Sequence, residues 1–146
     1  MRIVIQRVKS ASVTVNNEVS GSIDKGLLLF VGIHQTDTKE KADWCCRKIL
    51  KLRIFEDSEG KMNKSLLDVG GELLVVSQFT LYGDMKKGTR PSFIEAGKPD
   101  MAEPLYDYMV KKLKGSSVKN VETGKFGAMM DVELVNDGPV TLIMER

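Results

Sequence analysis

Hydrophobic and polar positions change period several times along the chain. Residues 1–8 are rich in Ile and Val, and in residues 10–23 Ala11, Val13 and Val15 alternate with Ser12 and Thr14 ahead of Asn16-Asn17. A period of two predicts strands, and the paired asparagines predict a tight hairpin. Residues 26–33 form a nearly continuous apolar run bounded by Gly26 and Gly32, which predicts a strand buried on both faces at the centre of a sheet. The period then becomes helical. Ala42, Cys45, Cys46, Ile49 and Leu50 recur at helix spacing after Asp37 and Glu40, a capping-box pair, so a helix is expected at about 38–52.

A polar loop at 56–60 and a weakly patterned stretch ending at Gly70-Gly71 follow. Glu72 to Leu81 is rich in Leu and Val and predicts a strand whose end carries Ser77-Gln78-Phe79-Thr80. Pro99, Asp100 and Pro104 cluster where Leu105, Tyr108, Met109 and Leu113 begin a second helical stripe, with Pro104 expected in its first turn and Gly115 as its stop. Short Val-rich segments at 118–123, 131–135 and 140–145, broken by Gly124, Gly127 and Asp137-Gly138-Pro139, predict closing strands. The pattern predicts an α+β fold over residues 1–146: a single compact domain, a mainly antiparallel, barrel-like sheet, and two principal helices packed outside it.

A chain of 146 residues is long enough to bury a real core without staples, and no repeat or linker divides it. The net charge of +2, with 42% hydrophobic and 29% charged residues, is an ordinary globular balance. The longest apolar runs, 27–31 and 73–76, fall far short of the roughly 18 residues a spanning helix needs. Charge at Arg2 and Arg7 breaks any secretory leader, so a cytoplasmic protein with no membrane partner is expected.

His34 is the only histidine, and Cys45 and Cys46 are adjacent, a spacing that suits neither a zinc site nor a disulfide framework. No metal and no cofactor are therefore expected, and any hydrolysis should run without imidazole. Both cysteines and His34 read as structural residues.

Three segments carry candidate chemistry. Ser77-Gln78-Phe79-Thr80 sets two hydroxyls and an amide at the end of a buried strand. The loop 83–91 beside it holds Lys86, Lys87 and Arg90, which suit either a phosphate contact or a solvated surface. Asp137-Gly138-Pro139 is either a plain turn or a rigid backbone feature. Lys111, Lys112 and Lys114 belong to a helix face that would be charged in any case. These features permit an RNA- or nucleotide-handling protein without demanding one.

Ser77-Gln78-Phe79-Thr80-Leu81, Gly88-Thr89-Arg90-Pro91-Ser92-Phe93, Phe126-Gly127-Ala128-Met129-Met130 and Asn136-Asp137-Gly138-Pro139-Val140-Thr141, in this order, resemble the D-aminoacyl-tRNA deacylase family. The opening Met1 to Val8 and Ala11-Ser12-Val13 are similar as well, so the likeness spans essentially the whole chain. It implies a homodimer that binds the 3′ end of aminoacylated tRNA and hydrolyses the ester of a D-amino acid or glycine. By that resemblance Gly138-Pro139 is a Gly-cis-Pro element inserted into the partner's pocket to reject L-amino acids. Ser77, Gln78, Phe79 and Thr80 would line the ester, and Phe126 and Met130 would hold the adenine. For Thr80 two roles compete, nucleophile or positioning group in hydrolysis assisted by the ribose 2′-hydroxyl. The second is preferred because no base is visible to activate it.

Two rival readings come from other classes. One is a non-catalytic RNA- or nucleotide-binding module, separated from an enzyme by one incubation with a D-aminoacyl-tRNA. The other is an interaction protein in which Gly138-Pro139 is an ordinary turn.

Overall fold

A computed structural model describes residues 1–146. The strands are β1 (Arg2–Val15), β2 (Glu18–Ile23), β3 (Gly26–Gly32), β4 (Phe55–Glu56), β5 (Met62–Lys64), β6 (Glu72–Ser77), β7 (Val121–Thr123) and β8 (Asp131–Glu145). Two helices, α1 (Lys39–Lys51) and α2 (Pro99–Lys114), join them. Asn16 and Asn17 both take positive φ at the β1–β2 turn, the conformation a two-residue hairpin needs.

One edge of β1 pairs antiparallel with β3 over residues 2–8 and with β2 over 11–15, while its other edge pairs with β8. On the far side of β3 the pattern changes: β3 pairs parallel with β6, and β6 parallel with β7. The reason is connectivity. Each link carries a helix, and a strand that returns through a helical crossover lies parallel to its predecessor. The sheet is thus mixed: mainly antiparallel around β1, as expected, with a parallel portion over β3, β6 and β7 of which the strand–helix–strand order of the sequence is the available sign. It nearly closes on itself, since Ser20 Oγ donates to Thr123 O at 3.2 Å and Gly21, whose Cβ would lie 2.8 Å from the same oxygen, lets β2 approach β7.

The apolar run of β3 is buried on both faces, as its sequence predicts. Leu27, Leu29 and Val31 pack with α1 and α2 in the larger core, and Leu28 packs with Val8, Val13, Leu74 and Val76 in the smaller one. Cys45 and Cys46 are buried on α1, and burial pushes the Cys46 thiol up to about 12, so both serve as packing residues.

Several boundaries differ from expectation. The hairpin's first strand is continuous from Arg2 to Val15, and the last two of the three expected closing strands, 131–135 and 140–145, are one, β8. Continuity through Gly138-Pro139 comes from Asn136, whose Oδ1 accepts the Val140 N–H at 2.9 Å and whose Nδ2 donates to Val140 O at 3.3 Å. These bonds bridge residues for which proline leaves no ladder donor. The strand expected to reach Leu81 ends at Ser77 and becomes a 3₁₀ turn over Phe79–Tyr82.

Asp37 does not cap α1; Thr38 occupies that position, with no side-chain cap bond. The Asp37 carboxylate is instead fully buried, bonded to the Met1 ammonium at 2.7 Å, to Lys41 Nζ at 3.0 Å and to the His34 N–H at 2.8 Å. Stripping one partner from a buried charge cluster typically costs about 3–5 kcal/mol. Asp37→Ala should therefore lower the Tm by roughly 10 °C in thermal unfolding followed by circular dichroism. A shift below about 3 °C would show that water replaces the carboxylate without penalty.

Candidate active site at the carboxyl ends of the parallel strands

Because β3, β6 and β7 run parallel, their carboxyl ends share one edge of the sheet, and the candidate residues gather there. Gln78 N–H donates to Val31 O at 2.8 Å, which ties the exit of β6 to the end of β3. The 3₁₀ turn follows at once, with Leu81 N–H donating to Gln78 O at 3.2 Å and Gly83 N–H to Thr80 O at 2.9 Å. The Phe79 and Thr80 N–H groups precede the first bond of that turn, so both donors lie outside its ladder. Phe79 is 57% exposed and Thr80 is exposed, so the donors sit at the surface of a rigid strand end.

The surrounding side chains hold this turn. Gln78 Nε2 donates to Thr80 Oγ1, the only side-chain partner of that hydroxyl. Phe93 meets Phe79 edge-on with ring centroids 5.2 Å apart, and Asp84 and Ser92 exchange backbone bonds of 2.8 and 2.9 Å that fold the 84–92 loop back to deliver it. Gly83 makes the approach possible, since a Cβ there would lie 3.0 Å from the Phe93 ring. Arg2 Nη1 donates to Leu81 O at 2.6 Å, and its guanidinium lies 4.9 Å from the Tyr82 ring centroid. Burial, with the Asp37 charge adding to it, pushes the Tyr82 phenol up to about 12, so it stays protonated and is no general base.

The loop after β7 joins the same edge. Val75 O accepts both the Gly124 N–H at 3.1 Å and the Tyr106 hydroxyl at 2.8 Å, and Phe126 packs against Tyr106 with centroids 5.7 Å apart. Phe126 is therefore tied to β6 two residues before Ser77. Met130 is half-buried against the smaller core, its sulfur 2.5 Å from where a Gly124 Cβ would stand. Ser77, Gln78, Phe79, Thr80, Phe126 and Met130 thus lie along the ends of two adjacent strands.

Gly138 and Pro139 do not join them. Gly138 faces Arg7, whereas Arg2 faces the 3₁₀ turn, and five residues along β1 amount to about 17 Å. The Gly138-Pro139 bond is cis, and both residues are exposed. Beneath them Arg7, 3% exposed, donates from Nη1 to Ile54 O at 2.6 Å and from Nε to Asp137 O at 3.1 Å, with Asp137 Oδ2 at 3.3 Å. Sequence alone assigns Arg7 no role. Its signal was parity, because Arg7 shares the period-two face of Ile3 and Ile5, both buried.

His34 is structural, its Nδ1 2.9 Å from Thr36 Oγ1 and its ring 5.2 Å from that of Tyr82. No three of His, Cys, Asp and Glu converge into a set that could hold a metal ion, and no helix is long and apolar enough to cross a membrane. Lys86, Lys87 and Arg90 are exposed on the loop beside the 3₁₀ turn.

Residues 4–145 match the model of a protein family described as D-Tyr-tRNA(Tyr) deacylase. The chain belongs to that family. It is accordingly a member of a family of hydrolytic enzymes. It is 63% identical over 145 residues to a D-aminoacyl-tRNA deacylase of Geobacillus sp. (strain WCH70), covering 99% of this chain and 95% of that one. A D-aminoacyl-tRNA deacylase of Exiguobacterium sibiricum is 60% identical over 146 residues, with both chains fully covered. Among solved structures, one titled c-Myc DNA Unwinding Element Binding Protein superposes with a TM-score of 0.93 at 42% identity, covering 100% of this chain and 99% of that one. A probable eukaryotic D-amino acid tRNA deacylase superposes at 0.84 with 18% identity over 98% of this chain and 97% of its own, a likeness of fold. The barrel-like sheet with two helices is thus the architecture of the deacylase family.

Proposed function

We propose that the chain hydrolyses the ester joining a D-amino acid or glycine to the 3′-terminal adenosine of tRNA, acting as a homodimer. The observation that carries this reading is the pair of N–H groups at Phe79 and Thr80, outside the ladder of their own turn and on an exposed strand end. A tetrahedral oxyanion needs such donors, and each typically contributes about 10²–10³ in rate. Family membership supplies the substrate class, an activated ester that needs little beyond a positioned water and this stabilisation.

Ser77 and Gln78 flank the ester, and Phe126 and Met130 flank the adenine. Thr80 acts as a positioning group. Its hydroxyl is held by Gln78, and the one histidine is engaged with Thr36, so no side chain stands ready to take its proton. The ribose 2′-hydroxyl then assists the attacking water.

Gly138-Pro139 serves the partner's site, since it lies too far along β1 to reach its own. The outer edge of β8 supports such a dimer. That strand of 15 residues pairs only with β1 and exposes Val135, Leu142 and Ile143, an edge that a second copy would cover. From the partner's side the backbone of Gly138-Pro139 walls off L side chains, a sharper filter than a pocket that merely favours one hand.

Matched D-, L- and glycyl-tRNAs test the reading directly. Release of the D-amino acid and glycine with L-aminoacyl-tRNA intact is expected, and the rate on an aminoacyl-adenosine mimic should survive strong chelation. Equal hydrolysis of both hands, or binding without release, would favour a non-catalytic or unselective role. Activity lost in chelator and restored by a divalent ion would contradict metal-free hydrolysis.

A further inference from the structure

A groove of about 410 Å³ along the second half of α1 is lined by Trp44, Arg47, Lys48, Lys51, Leu52 and Arg53. Lys41 on the same helix pairs with Asp37, Lys112 on α2 with Asp43, and Lys119 with Glu72, whereas Arg47, Lys48, Lys51 and Arg53 make no direct ion pair, although Asp43, one turn before Arg47, and Asp68, near Arg53, feel their charge. No acidic residue occurs between Asp43 and Glu56. The four carry +4 against a whole-chain net charge of +2, so the rest of the molecule is net −2. Arg47 and Lys51 also sit one helical turn apart, a like-charge pair that costs the helix stability. Arg53 is fixed in place, donating from Nε to Asn63 O at 2.8 Å and from Nη2 to Asn63 Oδ1 at 3.0 Å.

The position of the groove matters as much as its charge. Arg53 is followed by Ile54, whose carbonyl holds Arg7, and Arg7 in turn holds Asp137 beside Gly138. The Arg53 end of the groove is thus linked to the subunit's own Gly138-Pro139 loop through Ile54, Arg7 and Asp137.

We infer that this groove binds the phosphate backbone of the substrate tRNA. The inference rests on the deacylase reading above and adds to it. A Gly138-Pro139 loop seated in the partner's pocket brings its adjoining groove to the rim of that pocket, where the acceptor stem must emerge from the 3′ end. Phosphates are recognised there by charge alone, without reading the base sequence. The overall charge of +2 is too small to steer an RNA by itself, and a local unpaired patch supplies the attraction.

The test is the triple variant Arg47→Gln, Lys48→Gln, Lys51→Gln, with Lys111→Gln, Lys114→Gln on the other helix as a control that removes two positive charges outside the groove. Glutamine keeps helix propensity, and circular dichroism checks the fold. On D-aminoacyl-tRNA at about 0.1 M salt, kcat/KM should fall roughly ten- to a hundredfold, and the slope of log kcat/KM against log salt should flatten by about 2–3. On a D-aminoacyl-adenosine mimic the triple variant should match wild type, and the control should match it on both substrates. An equal fall on both substrates, or no fall on tRNA, overturns the proposal. Should wild type hydrolyse neither substrate, the deacylase reading fails on its own. Binding of an acceptor-stem minihelix then decides the groove, supporting it if the triple variant binds less tightly and overturning it if affinity is unchanged or if only anionic vesicles bind.

Discussion

Gly138→Ala is expected to fold and to lose D-aminoacyl-tRNA hydrolysis by about 10²-fold, the scale of effect produced by a misplacement of roughly 1 Å near a reacting centre. Gly138 has φ of +126°, a conformation that an L side chain rarely adopts. An added Cβ would also lie 2.8 Å from Arg7 Nη2 and 3.0 Å from Val140 Cγ2. The guanidinium is the flexible end of its side chain, yet here it is buried and bonded to Ile54 O and Asp137 O. Yielding to the methyl group would loosen the clamp that orients the loop. The core is untouched, because Gly138 and Pro139 are exposed and Asn136 still bridges to Val140. Deacylation of D-, L- and glycyl-tRNA by wild type and variant, with folding checked by circular dichroism, is the measurement. A folded variant with full activity and wild-type selectivity would reduce Gly138-Pro139 to a turn.

Removing the 2′-hydroxyl of the terminal adenosine should slow hydrolysis by about 10²–10³, within the range that a positioned proton-transfer group contributes. Thr80→Ala should cost far less. Its hydroxyl makes a single side-chain bond, to Gln78, and one such bond corresponds to about 1 kcal/mol, or some fivefold in rate. The backbone donors at Phe79 and Thr80 survive the substitution, since an N–H does not depend on the side chain. Single-turnover rates on ribo- and 2′-deoxy-terminated substrates, alongside the variant, separate the two contributions. An acyl-enzyme ester trapped on Thr80 would make that residue the nucleophile and leave the deacylase assignment standing.

Local pattern determined much of this protein. The double-faced burial of β3, the hairpin at Asn16-Asn17, both helices and the stop at Gly115 follow from period, turn residues and breakers, which act over a few neighbouring positions. The motif at 77–80 was legible as a hydroxyl- and amide-bearing strand end, and the ordered motifs named the family. Tertiary structure decided what depends on residues far apart in the chain. The parallel pairing of β3, β6 and β7 gathers residues 77–80 and 126–130 on one edge, and no window of sequence contains both. Asp37 looked like a cap, but a buried ammonium at Met1 offers its carboxylate a stronger partner than a helix N–H does. The strand broken in sequence by Gly138-Pro139 is continuous in space because Asn136 supplies the missing bonds. Arg7 acquires its role only when β4, β8 and β1 meet, since its partners at Ile54 and Asp137 are 47 and 130 residues away and only folding brings their carbonyls within reach of one guanidinium.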